Sequence, residues 1–388
     1  MSEQSGESKA LMRPSNVVAA LILLVGIPII IYRFIAGLGP ATNLDHTNPW
    51  GLWIGFDVVT GVALAAGGYV TSAGVYLFGM KEYKPIVRPA LLTGFLGYAL
   101  VVVGLIVDLG RPWRLPYPFI VRTGFTSPLF EIALCVALYL TVLFIESTPA
   151  AFEWLGWKRL RKIVGSATIA LTILGVVLST MHQSTLGTLY LITPTKLHPL
   201  WYSPHLPLHF FVSSIVAGLS MVIVESALSH RAFHDQIELS KERFDRLTIG
   251  LGKAGAVTLA VYLALKIAAI AHDDEWHLLT TGYGLWYLVE LLGFVALPCL
   301  LYAIGFRERS AKLVRITGAI TVIGIILNRF NVTMFAFHWQ LPAKERYWPH
   351  PMEIIVSLTL VTIGALVFRW IVNRMPVVRE HPDWKGVH

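Results

Sequence analysis

The sequence is poor in charged residues and has almost no cysteine. Of 388 residues, 14% are charged and 55% are apolar, and the mean hydropathy is +0.64, whereas a soluble domain keeps about a quarter of its residues charged. This shortage of charge excludes a water-soluble fold, and the composition also excludes disordered, collagen-like and disulfide-stabilised chains. The two cysteines, Cys135 and Cys299, stand in separate apolar runs, so they provide neither an iron–sulfur cluster nor a zinc site. Any redox chemistry therefore requires a bound organic cofactor, haem or a partner protein.

Ten apolar stretches of about twenty residues are long enough to cross a bilayer as helices. They cover approximately 17–37, 51–79, 87–109, 127–147, 164–187, 207–228, 248–271, 284–305, 313–336 and 353–373. The predicted fold class is an all-α polytopic membrane protein with about ten transmembrane helices, arranged as two four-helix bundles plus flanking helices. We expect cytoplasmic tails at 1–16 and 376–388 around an integral membrane domain at 17–375, with bundles at about 51–187 and 207–336.

The basic residues predict which loops face the cytoplasm. Both ends of the chain and alternate loops hold 22 of the 31 lysines and arginines, while nine of the 13 histidines fall on the opposite side. Cytoplasmic loops of membrane proteins carry such an excess. The net charge of +8 thus indicates membrane topology, with both termini cytoplasmic, rather than nucleic-acid binding. The apolar run after Met1–Ser15 shows no cleavage pattern, so it is interpreted as the first membrane anchor.

Four successive predicted helices carry a polar group that is costly to place in lipid. Asp57 lies about two turns inside the second helix, Asp108 closes the third, Glu131 is about one turn into the fourth, and His182-Gln183 ends the fifth. Although these helices alternate in direction, all four groups fall in the outer part of the membrane. Polar residues that occurred in these helices by chance would be expected at different depths in the membrane.

Such groups suit proton-coupled redox chemistry at a quinone head group, whose carbonyl oxygens need hydrogen-bond donors and whose reduction takes up protons. Trp53, one turn from Asp57 on the same face, would form a wall of the pocket. Structural interpretations remain open for the others. Asp108 with Arg111 would form a capping ion pair, Glu131 would pair with an arginine of the same loop, and His182 would be an interfacial histidine.

In the second half of the sequence, Lys266, Glu290 and Asn328-Arg329 have opposite signs that can pair, which favours a structural network. Gly67-Gly68 and Gly94–Gly97 are typical of close helix packing. The external loops 110–126, 188–206 and 337–352 are rich in aromatic residues, including Trp113, Tyr117, Trp201, Tyr202, Trp339 and Trp348. Each residue taken singly is typical of the aromatic belt at a membrane interface, and together they are expected to form a surface that receives a partner protein.

Six motifs carry a family resemblance. They are PWGLWIGFD at 49–57, RPALL at 88–92, DLGR at 108–111, LFE at 129–131, TMHQS at 180–184 and HPLW at 198–201. The sequence resembles the HybB-type integral membrane subunits of respiratory nickel–iron hydrogenases, which belong to the wider NrfD/PsrC-like superfamily of polysulfide-reductase and nitrite-reductase membrane subunits. The resemblance covers the first six helices well and the remainder loosely.

This resemblance implies a haem-free, quinone-reactive anchor in the bacterial inner membrane. It would exchange electrons between a periplasmic four-cluster iron–sulfur subunit, attached to the large and small subunits of a nickel–iron hydrogenase, and menaquinone or ubiquinone. The matching motifs assign catalytic roles to Asp57, His182, Glu131 and Asp108. They add Trp53, Arg111 and Gln183 as cofactor-binding residues, and no metal site is expected.

Three alternatives remain at this stage. The first is a quinol-oxidising subunit of another NrfD-like complex, because relatives with opposite directions of electron flow share the fold. The second is a haem b cytochrome, which needs paired histidines on facing helices. The third is a transporter, although transporters place their site near the midplane in broken helices.

Overall fold

The computed structural model describes residues 14–121, 123–237 and 239–379, and within them ten helices are long and apolar enough to cross a membrane. We number them α1 to α10. They are Pro14–Ala36, Trp53–Leu77, Lys81–Asp108, Pro128–Leu155, Lys158–Leu191, Leu206–Ala232, Lys241–His272, Gly282–Arg307, Ala311–Phe335 and Pro351–Arg374. The expected all-α polytopic fold is confirmed. Residues 1–13 and 380–388 of the two predicted tails lie outside the described residues.

The helices pack in two groups with a flanking pair. Helices α2 to α5 contact their neighbours in sequence, as do α6 to α9, and the groups meet where α2 and α5 pack on α6 and where α2 packs on α9. The first helix, α1, packs against the last, α10, which also contacts α2 and α3. The two ends of the membrane domain are therefore side by side, against the group that contains Asp57.

Glycines allow the closest helix contacts, as predicted for the small-residue stretches. A Cβ at Gly97 on α3 would lie 2.7 Å from the Cβ of Ala65 on α2, and a Cβ at Gly218 on α6 would lie 2.7 Å from the backbone nitrogen of Gly67. Without a hydrophobic driving force between helices in lipid, such backbone proximity supplies the packing energy.

Among the described residues, four helical segments are π-helical, a rare geometry that often occurs at functional sites. Two lie in α2, at Trp53–Thr60 and Ala73–Leu77, one in α8 at Val289–Ala296, and one ends α9 at Asn331–Phe335. The first contains Asp57 and the third contains Glu290.

We call the two ends of the helix bundle the site face and the basic face. The site face carries the connections α1–α2, α3–α4, α5–α6, α7–α8 and α9–α10, and the basic face carries the others. On the site face, His198 N donates to Ala336 O at 2.9 Å and His338 N donates to Lys196 O at 2.7 Å. These bonds join the α5–α6 and α9–α10 connections into one layer over the helix ends.

Candidate functional site

Asp57 is buried where α2, α3 and α10 meet. Its side chain is 8% exposed, and its Oδ2 accepts a hydrogen bond of 2.7 Å from Ser357 Oγ on α10. A Cβ at Gly104 on α3 would lie 2.8 Å from the Asp57 Cβ, so α3 comes this close only because residue 104 has no side chain. Since α2 begins at Trp53, Asp57 lies about one turn inside the helix rather than the two turns that were predicted.

Asp108 is the last residue of α3, as predicted, and it follows Gly104 by one helical turn on the same face. Its Oδ1 is buried and has no hydrogen-bond partner. The charged groups that act on it are the Glu353 carboxylate and the Arg33 guanidinium. Arg33 itself donates from Nη2 to Leu109 O at 2.5 Å, so a cation from α1 caps the negative end of α3.

Trp53 and Glu353 complete the group of residues around Asp57 and Asp108. The Trp53 ring is 1% exposed, and its Nε1 donates to Glu353 O at 3.1 Å. The Glu353 carboxylate accepts from Asn43 N at 3.0 Å and from the Tyr347 hydroxyl. Burial and the Glu353 carboxylate raise the pKa of Tyr347 well above its usual value, so this phenol remains a donor at physiological pH. We call Trp53, Asp57, Asp108, Glu353 and Ser357 the carboxylate site.

His182 and Gln183 lie in a second, deeper place. Helix α5 continues to Leu191, so the prediction that His182-Gln183 ends it was wrong, and His182 is fully buried inside the bundle. Its Nε2 lies 2.6 Å from Tyr98 Oη and its Nδ1 lies 2.7 Å from Leu178 O. Gln183 Nε2 donates to Val62 O at 3.0 Å. We call His182, Gln183, Tyr98 and Tyr139 the histidine cluster, since Tyr139 packs on both the Tyr98 and His182 rings.

The two places are neighbours along the same pair of helices. Tyr98 of the histidine cluster precedes Gly104 by six residues on α3, which is about 9 Å at the α-helical rise. On α2, Asp57 and Val62, whose carbonyl accepts from Gln183, are five residues apart. The histidine cluster contains two further buried atoms without a hydrogen-bond partner, Gln183 Oε1 and Tyr139 Oη.

Glu131 and Arg111 stand apart from both places. Glu131 accepts a 2.8 Å hydrogen bond from Thr185 Oγ1, between α4 and α5 and one turn beyond His182. Arg111 is exposed in the α3–α4 connection. Among the described residues the ion pairs do not include Arg111, and the cation that acts on Asp108 is Arg33. The structure therefore brings together Trp53, Asp57 and Asp108, and separately His182 and Gln183.

Sequence reasoning missed Arg33, Tyr98, Glu353 and Ser357. Arg33 had a usable signal, because a cation inside an apolar stretch is a functional candidate by default. Glu353 stands in the first turn of α10, where an acidic residue is ordinary. A tyrosine or serine within an apolar run has no signal of its own, because either is common in membrane helices.

The second group of helices contains the predicted polar network. Lys266 Nζ lies 3.1 Å from Glu290 Oε1, and the Glu290 carboxylate also accepts from Trp201, Asn328 and Asn331. Arg329 donates to Asn328 Oδ1 at 2.7 Å. The predicted pairing of opposite charges therefore holds for Lys266 and Glu290, whereas Arg329 donates to neutral oxygens, including Ser213 Oγ at 2.8 Å. The network also buries Trp201, which is 3% exposed, so this residue does not belong to the exposed aromatic surface of the external loops.

The described residues include no group of three histidine, cysteine, aspartate or glutamate side chains that could hold a metal ion. The carboxylate site contains hydrogen-bonding groups of the kind that a quinone head group requires. A buried carboxyl oxygen without a partner is available at Asp108, and a carboxylic acid can donate a hydrogen bond and a proton to a carbonyl oxygen. The ring of Trp53 supplies an apolar wall beside it.

The family described as "Polysulphide reductase, NrfD" matches residues 40–338. The chain belongs to the NrfD family. This match covers helices α2 to α9, including the Asp57, Asp108 and His182 positions, and it confirms the superfamily that the sequence motifs indicated.

Three relatives are similar over nearly the whole chain. A Nitratidesulfovibrio vulgaris protein is 54% identical over 387 residues, covering 100% of both chains. The probable Ni/Fe-hydrogenase 2 b-type cytochrome subunit of Escherichia coli is 30% identical over 95% of this chain and 93% of its own. The integral membrane subunit of menaquinone reductase from N. vulgaris is 28% identical over 91% of this chain and 88% of its own.

Proposed function

We propose that this NrfD-family chain is the quinone-reactive membrane subunit of a respiratory oxidoreductase. It exchanges electrons between an iron–sulfur partner and the menaquinone or ubiquinone pool. The observation that carries the proposal is the pair of carboxyls formed by the buried Asp57 and the half-buried Asp108, whose Oδ1 is buried and unpartnered. The relative named as a menaquinone reductase subunit supports the same assignment.

The bound quinone supplies a two-electron, two-proton couple, and the residues of this chain manage its protons and orientation. Asp57 is held in place by Ser357, so its free oxygen can accept or deliver a proton at a fixed position. When Asp108 is protonated, its buried Oδ1 can donate a hydrogen bond to a quinone oxygen. The Arg33 guanidinium beside Asp108 balances the negative charge left when a proton moves from a carboxyl to the quinone.

The histidine cluster lies deeper in the helix bundle than the carboxylate site, and we assign it to the same reaction. His182 and Tyr98 share a hydrogen bond, so a proton can pass between Nε2 and Oη without either ring moving. Because Tyr98 is about two turns of α3 below the carboxylate site, these residues are positioning and relay residues rather than groups that touch the quinone. Glu131 and Arg111 contact neither place in the structure, and we assign their roles to the α4–α5 contact and the site-face surface.

The partner is proposed to be a periplasmic four-cluster iron–sulfur subunit that docks on the site face. The carboxylate site lies within one helical turn of that face, and electrons must arrive close to it. We infer that the catalytic enzyme is a nickel–iron hydrogenase, because the Escherichia coli relative is named as a subunit of one. The chain is accordingly placed in the bacterial inner membrane with both termini cytoplasmic.

The b-type cytochrome in that relative's name raises the alternative of a bound haem. A haem iron needs a free imidazole nitrogen. His182, the most deeply buried histidine of the first helix group, engages both ring nitrogens in hydrogen bonds, with Tyr98 and Leu178. These occupied nitrogens favour the quinone assignment, which an absorbance spectrum of the purified complex tests directly.

The decisive experiment measures quinone-linked electron transfer in the purified complex reconstituted into liposomes. Asp57→Asn and Asp108→Asn should each lower the rate by about 100-fold or more, the range expected for loss of a general acid–base group. Glu82→Gln, an exposed substitution at the basic face, is the matched control. Dye-linked activity of the partner enzyme should remain at the wild-type level in all three variants.

Two results would overturn the proposal. One is wild-type quinone activity in both aspartate variants. The other is a complex that contains no extractable quinone and shows no response to added quinone analogues.

A further inference from the structure

A large cavity opens at the basic face, at the far end of α3 from the carboxylate site. Its volume is about 1250 Å³, and it lies between the start of α3, the end of α4 and the start of α5. Residues 375–379 after α10 close one side. Lys81 and Asp108 mark the two ends of α3, which are about 40 Å apart at the helical rise, so this cavity does not belong to the proposed quinone site.

The rim of this cavity is strongly cationic. Seven basic side chains line it: Lys81, Lys84, Arg88, Arg161, Lys162, Arg243 and Arg379. Of the described residues that line it, only Glu146 carries an acidic side chain. Such a concentration of positive charge in a concave site attracts an anion with more than one negative oxygen.

Two of these cations are held in place by a buried carboxylate. Arg88 donates to both oxygens of Glu153, at 3.1 and 2.7 Å, and Arg161 Nε donates to Glu153 Oε1 at 2.7 Å. The Glu153 side chain is fully buried. The Arg88 side chain also donates to Pro376 O at 3.1 Å and remains 25% exposed. Arg88 is therefore pre-oriented and retains N–H donors for a further anion.

The inner wall of the cavity is apolar and opens toward the bilayer. Leu91, Leu92 and Phe95 line it from α3, and Phe144 and Ile169 line it from α4 and α5. Phe144 is 54% exposed and Ile169 is 59% exposed, on helices whose outer surfaces face lipid. A soluble anion would use the rim alone, whereas a phospholipid would use both the rim and this wall.

We propose that the cavity binds an anionic phospholipid of the leaflet at the basic face. Its phosphate lies among Lys84, Arg88 and Lys162, and its acyl chains run along Phe144 and Ile169 into the bilayer. Basic pockets between transmembrane helices are suited to such head groups. The bound lipid joins α3, α4 and α5 with the segment after α10, and so adds contacts at the end of the bundle opposite the carboxylate site.

The test of the rim is native mass spectrometry of the full chain in detergent, titrated separately with cardiolipin, phosphatidylglycerol and phosphatidylcholine. Lys84→Gln/Lys162→Gln removes two cations and leaves the Arg88–Glu153–Arg161 contact intact. We expect cardiolipin affinity to fall about thirtyfold and the weak binding of phosphatidylcholine to stay unchanged. Arg307→Gln/Lys312→Gln is the matched control, because both residues are exposed on the same face outside the cavity, and it should bind cardiolipin like the wild type.

The test of the apolar wall separates a lipid from a soluble anion. Gly165 lines the cavity, and a Cβ there would meet nothing within 4 Å, so Gly165→Leu fills the space while favouring the helix. It should weaken cardiolipin binding at least tenfold and leave pyrophosphate binding unchanged. Gly293→Leu, also in open space but on α8, is the control.

Equal cardiolipin affinity in the wild type and both cavity variants would overturn the proposal. So would pyrophosphate binding as tight as that of cardiolipin, which would identify the rim as a soluble-anion site. The quinone activity of the aspartate variants is measured in a separate experiment. A failure of the phospholipid proposal can therefore be told apart from a failure of the proposed quinone function.

Discussion

Tyr98 Oη on α3 lies 2.6 Å from Nε2 of His182 on α5, and both residues are fully buried. His182 Nδ1 faces Leu178 O at 2.7 Å, and a carbonyl oxygen can only accept, so Nδ1 carries the proton of the neutral ring. Nε2 is then the acceptor and Tyr98 the donor. The hydrogen bond links α3 to α5. Because the tautomer is fixed, the Tyr98 proton can move toward His182 Nε2.

Tyr98→Phe should impair quinone turnover without affecting assembly, because it removes the donor to Nε2 and preserves the ring. We expect a fall of about tenfold in quinone-linked electron transfer, and His182→Ala should abolish it. Dye-linked activity of the partner enzyme reports assembly. Tyr190→Phe is the control, since the Tyr190 hydroxyl is buried without a hydrogen-bond partner. Equal rates in the Tyr98 and Tyr190 variants would contradict the relay.

Gly104→Ala should displace Asp57. The added Cβ would lie 2.8 Å from the Asp57 Cβ, so the α2–α3 contact must open and the Ser357–Asp57 hydrogen bond must lengthen. We expect quinone-linked activity to fall by about tenfold or more, since misplacing a reacting group by about 1 Å costs up to 100-fold. Gly74→Ala on α2, where a Cβ meets nothing within 4 Å, should retain full activity. A fully active Gly104 variant would show that this packing does not position the carboxyl.

The number of membrane spans and the acidic residues of the carboxylate site could be predicted from the sequence. Both depend on one stretch of chain, through the length of an apolar run or an isolated carboxyl within it. The partner of Asp57 could not be predicted, since Ser357 is 300 residues away and carries no signal of its own. The end of α5 was misplaced for a different reason. The apolar stretch ends near residue 187, but Thr185 and Thr188 each donate to the carbonyl four residues earlier, at 2.9 and 3.4 Å, so their hydroxyls are satisfied within a helix that extends to Leu191.

Reporter fusions test the orientation of the whole bundle. A fusion after Gln236, in the α6–α7 connection at the basic face, should report the cytoplasm. A fusion after Asp274, in the α7–α8 connection at the site face, should report the periplasm. The reverse pair of signals would place the carboxylate site on the cytoplasmic side and rule out a periplasmic electron donor.

The α3–α4 connection is the expected docking surface for the iron–sulfur partner. It exposes large apolar side chains that a monomer surface rarely shows together, with Ile120 and Phe125 each 80% exposed and Trp113 69% exposed. A photo-cross-linker at Phe125 should capture the partner in membranes. The same cross-linker at Trp157, which is 51% exposed at the basic face, is the control. Partner capture only from Trp157 would refute this docking face.

The layer over the site face should loosen in acid. Burial lowers the pKa of His198 to about 4 from its usual 6.5, and the neutral Nδ1 accepts from Leu200 N at 3.2 Å. The folded state therefore disfavours protonation, so stability is complete above pH 6.5 and falls as the pH drops toward 4. This loss of stability should appear as a lower Tm at pH 5 than at pH 7.

His198→Asn is the matching variant, because asparagine keeps an acceptor for Leu200 N and does not titrate. Its Tm should vary less between pH 7 and pH 5 than the wild-type Tm. An identical pH dependence in both proteins would assign the acid sensitivity to other groups, such as His338, whose pKa is also lowered by burial.

The pairing of α1 with α10 has a consequence for biosynthesis. Arg33 of the first helix caps α3, whereas Ser357 and Glu353 of the last helix hold Asp57 and Trp53. The ribosome therefore releases the first nine helices with the Asp57 carboxyl still lacking its serine donor, and the pocket closes only after α10 has inserted. We expect chains that stop before residue 351 to enter the membrane and to take up no quinone, so that completion of translation itself acts as the checkpoint for cofactor loading.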